Sequence, residues 1–205
     1  MTAGVDDRRA RVGRRPSTSH AELERVAFEL FADRGFDATA VEDIAAAAGI
    51  ARRTFFRYYA SKTDLVWGDF DGHLQRFRDW FRDVSDGEDV LQAIRRAVVD
   101  FNALPAPQVD PHRERMSLIL DVPTLRASST LRFVQWREVI ADFVAARVDG
   151  DPADLLPAAV SHCALGATLA AYERWLRTPG GELAELLDTS LGLLADGFPS
   201  LRSAS

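Results

Sequence analysis

Residues 48–59, with the sequence AGIARRTFFRYY, hold the strongest structural signal in this chain. A tight turn at Gly49 separates two short segments of helical periodicity, and this arrangement is typical of a helix-turn-helix. The second segment, residues 52–59, carries three arginines and four aromatic residues. Phe55 and Tyr59 are one helical turn apart and can face inward together. The remaining side chains then form the outer surface of this helix: Arg52, Arg53, Thr54, Phe56 and Tyr58.

These outer side chains suit the wide groove of duplex DNA. Recognition helices contact bases with their N-terminal residues and phosphates with their flanks. Arginine binds guanine edges through two hydrogen bonds, while Thr54 and the ring of Phe56 can touch a thymine methyl group. The Tyr58 hydroxyl suits a phosphate. The alternative is a charged, solvated helix end that only caps a bundle.

The segments around this motif also have helical patterns. A first helix is expected to begin near Ser19 and end at Gly35, with Phe36 folding back onto Phe31. A capping box at Thr39–Glu42 predicts the start of a second helix, which ends at Gly49. Lys62 is the only lysine in the chain, and it stands at the start of a fourth helix, where an ammonium can face a phosphate.

The rest of the chain has the periodicity of longer helices, without strand-like alternation, so an all-α fold is expected. Proline- and glycine-containing turns separate the predicted elements. These helices are expected near residues 62–84, 88–104, 111–121, 125–148, 154–177 and 181–197. The predicted organisation is a disordered basic arm at 1–18, a helix-turn-helix domain at 19–62 and a helical effector-binding and dimerisation domain at 63–205.

Charge divides the chain in the same way. Residues 1–62 have a net charge of +2, although the whole 205-residue chain has −6. Five arginines fall within residues 8–15, and a basic arm of this kind could enter a minor groove next to the recognition helix. A basic head on an acidic body favours a partner that is a polyanion. A solvated N-terminal tail would have the same composition.

Composition excludes several classes of protein. The single cysteine, Cys163, cannot form an internal disulfide or a thiolate zinc site. Residues 1–15 lack the apolar core of a secretion signal, and the longest apolar run, residues 44–51, is far below the ~20 residues of a membrane span. We therefore expect a cytoplasmic protein without membrane contact, metal or cofactor.

Enzyme activity has little support in the sequence. The four histidines and Cys163 show no metal-ligand spacing and no nucleophile–base motif, and no glycine-rich phosphate loop occurs. No catalytic residue is assigned. A helical adaptor that binds only protein remains the main alternative. Salt-dependent DNA binding would separate the two, because a DNA-binding protein loses affinity steeply as salt rises.

Large side chains at helical spacing mark a candidate effector site in the body. As a group they could line an apolar cavity for an elongated ligand, although a single side chain of this kind is more often ordinary core. The candidate ligand-binding residues are Trp67, Phe70, Leu74, Phe77, Met116, Leu120, Phe133 and Trp136. An anionic ligand would also need cations at the mouth of the cavity, for which the candidates are Arg113, Arg115, Arg132 and Arg137.

The last two predicted helices, near 154–177 and 181–197, suit a dimer interface. The first is rich in alanine and glycine, which permits close helix approach, and the second has a broad leucine stripe. Packing within one chain is the alternative. A two-fold dimer would place two recognition helices one DNA turn apart, which matches a palindromic operator.

The set of motifs in residues 20–66 resembles the TetR family of bacterial transcriptional regulators. The matching text is FADRGFDAT (31–39), VEDIA (41–45), AGI (48–50), TFFRYY (54–59) and SK (61–62). The resemblance implies a homodimer with a three-helix DNA-binding head and a helical body that binds an effector. It also implies that the DNA-contacting positions are Thr39, Thr54, Phe56, Tyr58 and Lys62, with Arg52 and Arg53 as variable base-reading positions.

Three positions depart from the family pattern. The family often has a small hydroxyl residue at position 51, glycine at 53 and tyrosine at 56, whereas this chain has Ala51, Arg53 and Phe56. Other segments are similar to the branch of regulators that accompany mycofactocin biosynthesis genes: residues 13–20, 52–58, 67–71 and 129–132. That branch implies a long-chain acyl-CoA as the apolar effector that releases a repressor from its operator.

Overall fold

The computed structural model describes residues 18–198, and within that range the chain is helical with no strand. The all-α class expected from the sequence is confirmed. The chain divides into two compact units between Ala60 and Ser61, two residues before the expected boundary. The predicted basic arm, residues 1–18, falls almost wholly outside the described residues, as do residues 199–205.

The first unit contains helices α1 (His20–Arg34), α2 (Val41–Ala47) and α3 (Arg52–Tyr58). The hydroxyl of Ser19 caps α1 by accepting a hydrogen bond from the backbone N–H of Glu22, at 3.1 Å. The helix ends at Gly35, whose φ of +84° is easy only for glycine, and the rings of Phe31 and Phe36 then meet at 5.2 Å. The expected start and end of this helix are thus confirmed.

The predicted capping box at Thr39 is wrong. Ala40 is the N-cap of α2, and its backbone N–H donates to the carboxylate of Asp43 at 2.8 Å. The hydroxyl of Thr39 instead donates to the carbonyl oxygen of Gly35 at 2.8 Å, and the residue is buried. Thr39 therefore closes the turn between α1 and α2, and the N-cap position falls one residue later, at Ala40.

The second unit contains the remaining helices of the described range: α4 (Lys62–Trp67), α5 (Phe70–Arg82), α6 (Val90–Phe101), α7 (Ala106–Asp121), α8 (Pro123–Ser128), α9 (Thr130–Arg147), α10 (Leu155–Arg177) and α11 (Leu183–Ala195). Helix α10 packs against α9 on one side and α11 on another, and α11 also packs against α6.

The predicted helix at 62–84 is in fact two helices, α4 and α5. Gly68 ends α4 with a φ of +58°, and Asp69 starts α5 by accepting a hydrogen bond from the N–H of Gly72 at 3.1 Å. A Cβ atom at Gly72 would lie only 2.3 Å from the Asp69 carboxylate, so a larger residue there would force this carboxylate to move. Large apolar side chains continue at helical spacing from Trp67 to Phe81, and this pattern predicts one helix across the break.

Two further boundaries differ from the predicted ones. The predicted helix at 125–148 is interrupted at Ser129, because hydroxyls at 128–130 all donate to backbone carbonyl groups and compete with the helical pattern. The predicted helix at 111–121 begins earlier, at Ala106, after Pro105 as N-cap. Proline is compatible with the first turn of a helix, where no N–H partner is required.

Stacked aromatic rings form the core of the second unit. The ring of Phe77 on α5 stacks on Trp136 of α9 at 5.4 Å, and Phe81 stacks on Phe143 at 4.4 Å. These two stacks join α5 to α9 along one side of each helix. Phe77 and Trp136, two of the candidate effector residues, are therefore part of the core.

Helix α10 is long and apolar enough to span a membrane when judged by length and composition alone. A core helix of a soluble protein passes the same test, so this is weak evidence for a span. Its buried positions include Tyr172 and Trp175, which pack against the neighbouring helices.

Candidate nucleic-acid interface and effector-binding cluster

Helix α3 presents the predicted DNA-contacting side chains on its surface. Phe55 and Tyr59 are buried as expected, and the Tyr59 hydroxyl donates to the Glu24 carboxylate at 2.8 Å. Arg52, Arg53 and Phe56 are exposed. An exposed phenylalanine, with 41% of its surface accessible, is unusual on a short polar helix and leaves an apolar group available for a partner.

The two arginines at the start of α3 have different surroundings. Arg52 pairs with Glu42 of α2, with 2.5 Å between Nε and Oε1, and its guanidinium lies 4.9 Å from the centre of the Phe56 ring. Among the described residues, no ion pair involves Arg53. Arg52 is therefore oriented by neighbours within the unit, whereas Arg53 extends into solvent.

The Tyr58 hydroxyl already has an acceptor. It donates to the backbone carbonyl oxygen of Thr18, and its ring meets the ring of His20 at 5.0 Å. A phosphate, which only accepts, could bind this hydroxyl only by displacing Thr18. Within the described part of the chain, Tyr58 thus ties α3 to the residue that precedes α1.

Three other predicted DNA contacts occupy different environments. Thr54 is half-buried on α3, and Thr39 is buried, so its side chain is not on the surface. Lys62 is the first residue of α4 in the second unit, where the Ser61 hydroxyl caps the helix by accepting from the Asp64 N–H at 3.0 Å. These contacts stay predictions.

The candidate effector residues separate into two groups. Trp67, Phe70 and Phe133 form a partly exposed cluster, in which the Trp67 ring lies 5.2 Å from Phe70 and 6.0 Å from Phe133. We call these three residues the Trp67 cluster. The remaining candidates lie on α5, α7 and α9, and all but the half-buried Leu120 are buried: Leu74, Phe77, Met116, Leu120 and Trp136.

Two arginines hold the ends of the short helix α4. Arg132 on α9 pairs with Asp64 in the first turn, at 2.6 Å, and its guanidinium lies 5.1 Å from the centre of the Trp67 ring. Arg115 on α7 donates to the carbonyl oxygens of Leu65 and Val66. A cation at the carbonyl end and an anion in the first turn both suit the helix dipole.

The other two candidate cations also have partners inside the second unit. Arg113 lies 3.9 Å above the Trp175 ring and donates to the backbone carbonyl oxygen of that residue. Arg137 contacts the ring nitrogens of His162. All four predicted mouth cations are therefore engaged in contacts within this unit.

A directional hydrogen-bond chain joins α7, α10 and the end of α6. The Tyr172 hydroxyl donates to the Asn102 side-chain oxygen at 2.5 Å, so His112 Nε2, at 2.8 Å, must donate to the tyrosine. Burial, and to a lesser degree the charges of Arg115 and His73, lower the pKa of His112 to about 4. Burial raises the pKa of Tyr172. His112 is thus neutral at physiological pH.

Sequence reasoning missed most of these polar contacts. Asp64, Asn102 and Tyr172 belong to no quoted motif, and no motif links Glu42 to Arg52. The partners of these four residues are 10 to 70 residues away in the chain. No group of three His, Cys, Asp or Glu residues that could hold a metal occurs within residues 18–198.

Two family profiles match the chain. Residues 25–66 match the profile of bacterial regulatory proteins of the tetR family, and residues 88–199 match that of the MftR C-terminal domain. A Mycobacterium tuberculosis protein assigned as mycofactocin biosynthesis transcriptional regulator MftR is 43% identical over 192 residues, which are 94% of this chain and 97% of that protein. The transcriptional repressor KstR2 of the same species is 38% identical over 80 residues, 37% of this chain and 38% of that protein.

Solved structures share the fold at lower identity. FadR of Thermus thermophilus, a TetR-family transcriptional repressor in complex with lauroyl-CoA, has a TM-score of 0.56 and 24% identity, covering 87% of this chain and 94% of that one. FadR of Bacillus subtilis in complex with stearoyl-CoA has a TM-score of 0.62 and 14% identity, covering 87% and 99%.

The low pKa of His112 predicts a pH-dependent stability. The ordinary pKa of 6.5 applies to the unfolded chain and about 4 to the folded one, so between these values the unfolded chain binds more protons. Acidification through this range therefore favours unfolding. We expect His112→Gln, which retains an N–H donor but does not titrate, to show a smaller fall in Tm between pH 6.5 and pH 4.5 than the wild type.

Differential scanning fluorimetry across this pH range measures the effect. The control is His162→Gln at an exposed histidine, which should follow the wild-type profile. If His112→Gln and wild type lose Tm in parallel, His112 does not carry the pH dependence.

Proposed function

Because the chain belongs to the TetR family of bacterial transcriptional regulators and has an MftR-type C-terminal domain, we propose that it is a repressor that an apolar effector releases from a palindromic operator. The observation that carries the DNA-binding part is the surface of α3, where Arg53 and Phe56 extend into solvent from a helix anchored by Phe55. As members of this family are regulators, the chain is not an enzyme.

Base recognition is assigned to the N-terminal turn of α3. Arg53 is exposed and can approach a guanine edge, whereas Arg52 is held beside Phe56 by its ion pair with Glu42. Arg52 contacts Glu42 through its Nε atom. The two terminal nitrogens of the Arg52 guanidinium can therefore still bind the O6 and N7 atoms of guanine. Glu42 then acts as a positioning residue for Arg52.

The proposed effector is a long-chain acyl-CoA. Two proteins of similar fold hold lauroyl-CoA and stearoyl-CoA, which motivates the choice of ligand class. In this chain, the partly exposed Trp67 cluster includes the last residue of α4, which is the first helix after the DNA-binding unit in the sequence. An acyl chain inserted there would displace α4 from contacts that Arg115 and Arg132 now make.

A homodimer through α10 and α11 is proposed as the DNA-binding form. An exposed stripe of α10 has small side chains at three- to four-residue spacing, namely Ala159, Cys163, Gly166 and Ala170. Nothing lies within 4 Å of the position that a Cβ atom of Gly166 would occupy, so this face is open in the single chain. A second copy of α10 could approach it closely.

The control of mycofactocin genes is proposed from the similarity to the M. tuberculosis MftR protein. Such a regulator acts in the cytoplasm, where its operator lies. Footprinting of the purified protein on promoter DNA from its own genomic neighbourhood would identify the operator. A helical adaptor without DNA binding predicts no protected sequence in this experiment.

We expect Arg53→Ala to lower affinity for the operator by about 1–3 kcal/mol, because a two-point hydrogen bond to guanine would be lost.

Lys62→Ala should weaken binding to all DNA sequences alike and reduce the slope of log K against log salt by about one, because one phosphate contact disappears. Gel-shift titrations on operator and unrelated DNA at several salt concentrations separate the two effects.

The matched control for both variants is Arg126→Ala, which removes one exposed positive charge from α8 in the second unit. It should leave affinity for the operator close to the wild-type value. Equal losses on operator and unrelated DNA would remove Arg53 from base recognition, and an unchanged salt slope would remove Lys62 from the phosphate contacts.

The effector proposal predicts that palmitoyl-CoA releases the bound operator. Free coenzyme A should not, since the acyl chain supplies the apolar surface that enters the body. The measurement is fluorescence anisotropy of labelled operator during titration with each compound. If palmitoyl-CoA neither releases DNA nor raises the Tm of the protein, the acyl effector is wrong.

The dimer proposal predicts that Gly166→Trp yields monomers with wild-type helix content. A large ring at this open position would clash with a second copy but not with its own chain. Sedimentation equilibrium and circular dichroism measure the two quantities. Gly87→Trp, at an exposed glycine that likewise has nothing within 4 Å, is the control and should remain dimeric. Dimers of Gly166→Trp would place the interface elsewhere.

A further inference from the structure

The indole nitrogen of Trp67 is a buried hydrogen-bond donor without an acceptor. Among the described residues, it is the one buried side-chain nitrogen or oxygen of this kind. Other tryptophans have acceptors: Trp80 donates to Asp100 and Trp175 to the carbonyl oxygen of Gly181, each at 2.9 Å. A buried N–H without a partner is costly, so its presence calls for an explanation.

This N–H lies within the Trp67 cluster, which is part of the proposed effector site. The Trp67 ring contacts Phe70 and Phe133 edge to face, and all three belong to the candidate effector residues. Trp67 and Phe133 are only half-buried, so part of the cluster remains open. A ligand that enters between these rings and reaches the indole nitrogen would supply the acceptor that this N–H lacks in the protein alone.

The charges nearby decide what kind of acceptor fits. Arg132 lies over the Trp67 ring, but its charge is matched by the carboxylate of Asp64 at 2.6 Å. A second anion here would compete with Asp64 for one guanidinium and lose its hydration. An uncharged oxygen, such as a carbonyl, accepts from an indole N–H without that cost.

We propose that Trp67 donates a hydrogen bond from its indole nitrogen to a carbonyl oxygen of the effector. The effector class is thus an apolar chain that carries an uncharged carbonyl, and a saturated chain without this oxygen binds more weakly. The inference rests on the proposed acyl effector. It identifies the carbonyl oxygen as the atom by which the protein distinguishes this effector from other apolar molecules of the same size.

The position of Trp67 connects this bond to α4. Trp67 is the last residue of that helix, and the two preceding carbonyl groups accept hydrogen bonds from Arg115. A carbonyl that binds the indole therefore acts at the same end of α4 as Arg115. The presence or absence of a carbonyl oxygen on the ligand therefore affects α4, the first helix after the DNA-binding unit in the sequence.

The experiment compares palmitoyl-CoA with S-hexadecyl-CoA, a thioether of similar length that lacks the carbonyl oxygen. Calorimetric titration of the full chain should show about tenfold weaker binding of the thioether, the typical effect of one lost hydrogen bond to a buried donor. Trp67→Phe keeps an aromatic ring but removes the N–H, and it should bind both compounds with equal affinity. Trp80→Phe is the matched control and should retain the preference.

A second measurement does not depend on the folding of any Trp67 variant. In the wild type labelled with 15N-tryptophan, four indole N–H signals are expected from the four tryptophans. The Trp67 signal should move downfield with palmitoyl-CoA but not with the thioether. Signals of the other tryptophans are identified by single Phe replacements at those positions.

The outcomes separate the inference from the proposed function. Tight but equal binding of the two compounds by the wild type, or a preference that survives in Trp67→Phe, would overturn the Trp67 contact and leave the acyl effector standing. If neither compound binds the wild type, the acyl effector and the Trp67 contact both fail.

Discussion

Two arginines determine where the six-residue helix α4 lies in the second unit. A helix of this length is not stable alone in water, because too few hydrogen bonds offset the cost of nucleation. Arg132 binds Asp64 in its first turn, and Arg115 binds the carbonyl groups of Leu65 and Val66 near its end. These two contacts, together with the burial of Leu65 and Val66, fix the position of α4.

The aromatic residues of the body have two different tasks. The ring stacks centred on Phe77 and Phe81 join α5 to α9 and are buried, so they give the unit its rigid part. The Trp67 cluster lies at the break between α4 and α5 and remains partly open. In the proposed function, an effector bound at the Trp67 cluster would shift α4 against this rigid part.

Polar contacts assign roles to arginines that look alike in the sequence. Arg52 and Arg53 are adjacent, yet one is held by Glu42 and Phe56 and the other extends freely from α3. Arg113 and Arg115 are two residues apart on α7, but they bind Trp175 and α4 respectively. In each pair, a helical rotation of one or two residues sends the side chains to different neighbours.

Apolar periodicity, caps and motifs are local signals, and they are enough to predict the all-α class, the ends of α1, the inward positions of Phe55 and Tyr59, and the family. Packing between helices, which exists only in the folded chain, buries Thr39 and leaves the indole N–H of Trp67 without a partner. Both features depend on groups from several helices, and no local pattern records which residues meet after the chain folds. The break between α4 and α5 is local, since it rests on Gly68 and on the Asp69 cap, but apolar spacing that continues across it predicts a single helix.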